Sequence, residues 1–132
     1  MSAKPSITIN NTSAPFWEGV KRRKLMLQYD VKAGRYQFFP RPVSLYSSDG
    51  AIEWREAKGT GVLAAFTLTH FPAPGFDAEL PYLEGIVQMD EGPRVFAPIA
   101  NAHYEDLKVG MRMRVCWPTA EGQHPFQFEI VN

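Results

Sequence analysis

The run "GTGVLAAFTLTHF", residues 59–71, decides the fold. It is long and rich in Thr, Val, Leu and Phe, the composition of a strand. Working outward, "AIEWREAK" (51–58) precedes it, and the loop "PAPGFDAELP" (72–81) and the run "YLEGIVQMD" (82–90) follow. Glu91-Gly92 makes a tight hairpin into "PRVFAPIAN" (93–101). "HYEDLKVG" (103–110) holds one helical turn ending at Gly110. "MRMRVCWP" (111–118) alternates large apolar side chains with arginine, as a half-buried strand does, and "PFQFEIVN" (125–132) repeats that alternation. Strands at this spacing, with one candidate helix between them, predict a small closed or partly closed barrel. The chain has no repeat of fixed period and no low-complexity stretch.

Upstream of the strands the texture differs. Residues 1–12 are polar and read as a loose arm. "SAPFWEGVKRRKLMLQ" (13–28) opens a short helix, with Ser13 as the candidate N-cap and Pro15 in the first turn, where its missing N–H costs least. Phe16 and Val20 lie four apart and share one helical face, whereas Gly19 weakens the helix and makes it dependent on docking. The basic run Lys21 to Lys24 reads first as a solvated helix end favourable to the macrodipole, with a phosphate contact as the sharper alternative.

The whole chain of 132 residues has Lys+Arg 14 against Asp+Glu 14, so no global field draws it to nucleic acid or anionic lipid. One cysteine, Cys116, allows no internal disulfide and argues for a reducing compartment; in an apolar strand it reads as a small hydrophobe. The N-terminus lacks a long apolar segment, and no later run has the length that spans a bilayer, so the expectation is a cytoplasmic protein with no membrane partner. No nucleophile elbow, phosphate loop or zinc-protease motif is present, and His70, His103 and His124 are scattered. Asp90 and Glu91 read as hairpin-turn residues. Bases stacking on Trp54, Phe66 or Phe96 would suit a single-stranded nucleic-acid module, but the acids distributed through the strand half oppose the basic groove it needs.

The order of motifs carries a resemblance. "PFWEGVKRRKLMLQY" (15–29), "GRYQFFPRPV" (34–43), "KGTGVLAAFTLTHFPAPGF" (58–76), "LPYLEGIVQMDEGPRVFAPI" (80–99) and "LKVGMRMRV" (107–115) together resemble, over nearly the whole chain, the family called domain of unknown function thirty-five. The resemblance implies a mainly β protein: an N-terminal arm and helix (1–26), a rubredoxin-like zinc-ribbon knuckle (27–50) and a five-stranded OB-fold barrel (51–132). Family members carry two Cys-x-x-Cys pairs in the knuckle, and position by position these fall on Asp30, Ala33, Ser44 and Ser47. One carboxylate, two hydroxyls and a methyl do not make a tetrahedral zinc site, so the knuckle is expected to be degenerate and metal-free. Packing is then expected to hold it, through Tyr29, Tyr36, Phe38, Phe39 and Tyr46 against Pro40 and Pro42, at roughly 1.5 to 3 kcal/mol for each fully buried ring.

The function implied by the resemblance is that of a non-catalytic accessory subunit. Its partner would be a thiolase-like enzyme, or a hydratase or aldolase, in a hetro-oligomer whose acyl-CoA site the barrel helps form or cover. No catalytic residue and no tightly bound cofactor are expected, and a CoA thioester at the partner interface is the candidate ligand. Candidate contacts with ligand or partner are Phe76, presented on the proline-stiffened loop 71–82, and Lys21, Arg22, Arg23 and Arg41, which suit CoA phosphates or a rim salt bridge. A free-standing binder of acyl-CoA or lipid is the alternative, with the nucleic-acid module third.

Overall fold

The computed structural model describes residues 12–47, 51–69, 82–118 and 125–131. Helix α1 (Ala14–Lys21) leads into a three-stranded antiparallel sheet of β1 (Met26–Asp30), β2 (Arg35–Gln37) and β3 (Ile52–Glu56), in the order β2-β1-β3. Then come β4 (Thr60–Thr69), β5 (Tyr82–Met89), β6 (Arg94–Pro98), a 3-10 turn (Tyr104–Asp106), β7 (Arg112–Cys116) and β8 (Gln127–Ile130). These five strands form a second antiparallel sheet in the order β6-β5-β4-β7-β8. A parallel bridge between Ile99, just past β6, and Phe128 on β8 joins the two edges, so the sheet closes into the mainly β OB-fold barrel. The expected division between residues 50 and 51 is crossed by strand pairing, since β3 pairs along β1 from Met26↔Glu56 to Asp30↔Ile52.

Alternation along the strands builds the barrel interior. Leu83, Gly85, Val87 and Met89 of β5 point inward, as do Val95 and Ala97 of β6, while Glu84, Ile86 and Gln88 take the outer face. Leu63, Val87, Val95, Ala97, Met113 and Phe128 are fully buried there. A bulge at Ala64 shifts the β4–β5 register between Leu63 and Ala65, which bends the longest strand enough to serve both neighbours. Gly85 leaves room at the centre of this interior: a Cβ there would meet Ile99 Cδ1 at 2.7 Å and the Ala65 carbonyl at 3.1 Å.

Gly19 has a different role from the weakness read in sequence. The helix ends in a Schellman turn, with Arg23 N–H donating to the Val20 carbonyl (3.0 Å) and Lys24 N–H to the Gly19 carbonyl (2.8 Å). A Cβ on Gly19 would come within 2.8 Å of the Lys24 carbonyl, so glycine allows the chain to fold back over the helix. Arg23 takes the left-handed position of the turn at φ 60°. Ser13 precedes the helix as read, but its side chain makes no capping bond. Phe16, 2% exposed, seats the helix: its ring lies 5.8 Å from Phe38, 6.2 Å from Phe39 and 6.0 Å from Phe126, joining helix, knuckle and barrel. Among the described residues no helix is long and apolar enough to cross a membrane.

Candidate functional site

The knuckle brings together the four positions that the resemblance singled out. On β1, period two puts Gln28 and Asp30 on one face, and the register pairs Gln28 directly with Gln37 of β2. All three polar side chains are buried, Gln28 4% exposed, Gln37 1% and Asp30 0%. The Asp30 carboxylate accepts hydrogen bonds from the Ser44 hydroxyl, from the Ser47 hydroxyl (2.6 Å) and from the backbone N–H groups of Lys32 and Ala33 (2.9 Å each). Two turns, one from each end of the knuckle, are thereby fastened to a single carboxylate.

The glutamines hold the arm between those turns. Gln28 donates from Nε2 to the Arg41 carbonyl (2.9 Å) and accepts the Arg41 N–H at Oε1 (2.8 Å). Gln37 donates to Gln28 Oε1 (2.7 Å) and to the Val43 carbonyl (3.2 Å), and accepts the Leu45 N–H (2.9 Å). An irregular arm with no strand partner thus has its backbone groups satisfied by two buried amides.

This arrangement corrects the expectation that an aromatic cluster closes the knuckle. The rings divide between separate places: Tyr29 meets Tyr36 edge-on at 4.7 Å, Phe38 and Phe39 stack together near Phe16, and Tyr46 lies under the Arg35 guanidinium. Phe38 is half-buried and Phe39 is 51% exposed, so neither carries the value of a fully buried ring. Gln28 and Gln37 were not singled out in sequence. The signal that finds them is the alternation in "LQYD" (27–30), which puts two polar groups on one strand face.

Hydrogen bonds from Ser44, Ser47 and Ala33, in that order, outweigh burial and lower the Asp30 pKa from 3.8 to about 2. Asp90 is also held below the usual carboxylate range, by a bidentate bond from Arg112 (2.9 Å to each oxygen) and by the Thr60 hydroxyl. Both groups take up protons more readily in the unfolded chain. Their stabilisation is therefore complete above the ordinary pKa near 3.8 and is lost as the pH falls from there toward 2. The urea midpoint is expected to be level from about pH 7 to 5 and to drop between about pH 4 and 2, with a smaller drop in Asp30→Asn.

The other candidates are dispersed. Lys21 pairs with Glu18 (3.4 Å), and Lys24 lies 4.0 Å from Glu56. Arg22 and Lys24 help line a cleft of about 290 Å³ between helix α1 and the start of β1, with Glu18, Gly19 and Glu56 among its other walls. Arg23 is exposed in the Schellman turn, and Arg41 has a clamped backbone and an exposed side chain. Phe76 lies outside the described residues, as do His70 and His124. His103 is exposed, and its N–H caps onto Asp106 (3.0 Å).

On the barrel, a second cleft of about 380 Å³ runs past Asn101, Arg114 and Glu129. Arg114 and then Asn101 donate to Glu129 and lower its pKa. Cys116 is half-buried, and burial first, then the Glu129 charge, push its thiol up to about 11. Phe66 packs edge-on against Tyr104 at 5.5 Å, and Phe96 is 54% exposed on the outer face. Among the described residues no three His, Cys, Asp or Glu side chains are grouped as a metal site. The donor set of the knuckle does not fit zinc: the one carboxylate already faces four N–H and O–H donors, and Ala33 offers only its N–H.

Comparison with known proteins extends this geometry. Residues 54–118 match the family described as "ChsH2, C-terminal OB-fold domain". The chain is 27% identical over 121 residues, 89% of its length, to a "Probable enoyl-CoA hydratase alpha subunit" of Thermomonospora curvata, and it spans 37% of that protein's length. It is 26% identical over 100 residues to a "DUF35 domain-containing scaffold protein" of Pyrococcus furiosus, covering 76% of this chain and 74% of that one. Among solved structures, a chain of the "Ltp2-ChsH2(DUF35) aldolase" shares the fold at a TM-score of 0.79 and 24% identity, covering 95% of this chain and 98% of that one. The chain is thus similar to DUF35 proteins, and over residues 54–118 to the ChsH2 C-terminal OB-fold domain.

Proposed function

We propose that this chain is a non-catalytic accessory subunit that docks on a separate catalytic chain acting on acyl-CoA and helps form or cover its acyl-CoA site. The observation that carries the reading is the match, over 89% of this chain, to a protein named as the alpha subunit of an enoyl-CoA hydratase, joined by a match to a protein named as a scaffold. The site chemistry supports it. The depressed carboxylates of the described residues are tied up in structural bonds: Asp30 fastens the knuckle, Asp90 ties the β5–β6 hairpin to β7, and Glu129 joins β8 to β7. A general base or nucleophile has to be free to face a substrate. The partner is thiolase-like, hydratase-like or aldolase-like, and the CoA thioester lies at the interface between the chains.

The knuckle serves this role as a metal-free scaffold. Its hydrogen bonds replace the closure that zinc gives a small domain. A chelator in excess is expected to leave the melting temperature of the purified protein within about 1 °C of its starting value. Stoichiometric zinc in the purified protein, with a melting temperature that falls on chelation, would overturn the metal-free knuckle.

The functional reading is tested by giving the purified chain CoA thioesters alone, with turnover followed by thioester loss and binding by calorimetry. Neither turnover nor binding tighter than about 100 μM is expected. Turnover would make the chain an enzyme, and tight binding without a partner would make it a self-contained acyl-CoA binder.

A further inference from the structure

We draw no further inference here: the strongest candidate, the exposed apolar face of the knuckle arm around Val43 and Leu45, carries nothing because nothing in the structure shows what covers it.

Discussion

Gln28→Leu is expected to destabilise the protein by about 2 to 4 kcal/mol and to release the arm at residues 39–47, although leucine has nearly the same volume and is the more hydrophobic side chain. The reason is what leucine cannot do. Gln28 accepts the Arg41 N–H, donates to the Arg41 carbonyl and accepts from Gln37 Nε2, so its loss leaves two backbone groups of the arm and one amide proton short of a partner. Each buried group left unsatisfied costs roughly 1 to 3 kcal/mol. The arm escapes part of that cost by swinging out to water, which converts lost stability into lost order. Urea denaturation measures the first effect and hydrogen exchange at the Val43 and Leu45 amides the second. An unchanged midpoint with unchanged exchange would show that the aromatic contacts hold the arm after all.

Phe16→Ala is expected to cost about 3 to 5 kcal/mol, the largest effect of any single change named for this chain. The ring is 2% exposed and touches Trp17 on its own helix, Phe38 and Phe39 on the arm, and Phe126 beside β8. Removing it opens a cavity at the one place where helix, knuckle and barrel converge. Phe16→Leu refills most of the space and is expected to cost less than about 1.5 kcal/mol. Thermal denaturation of the two variants side by side distinguishes a packing role from simple hydrophobicity. Equal losses for alanine and leucine would mean that the ring geometry, rather than the filled volume, is what matters.

Much of the barrel was legible because its signals are local. The alternation in "MRMRVC" and the Glu91-Gly92 turn predicted β7 and the β5–β6 hairpin, and both occur where expected. The short helix was legible from Pro15 and the Phe16 spacing. Gly19 was harder to read, since propensity counts only its entropy, whereas its use depends on a carbonyl five residues away. The "DEGPR" stretch showed a turn, but the Asp90–Arg112 pair depends on two strands meeting across 22 residues of sequence. The knuckle shows the same limit. The resemblance singled out Asp30, Ala33, Ser44 and Ser47 position by position, and in the structure Asp30 accepts from the Ala33 N–H and from both serine hydroxyls. That the convergence is a carboxylate receiving four donors, and that two glutamines continue it, follows from which face of β1 the arm covers. The alternation in "LQYD" was visible, but polar side chains on a strand face are ordinarily solvated, and only the covering arm reverses that expectation.

Whether a catalytic chain accompanies this one decides its role most directly. The decisive measurement is an affinity purification of the tagged protein from its native host, with the retained chains identified by mass spectrometry and the eluate assayed for acyl-CoA turnover with and without this chain. A thiolase-like, hydratase-like or aldolase-like chain in near-equal amount is expected, with activity in the fraction that holds both. Recovery of this protein alone, or acyl-CoA turnover by it in isolation, would contradict the accessory role.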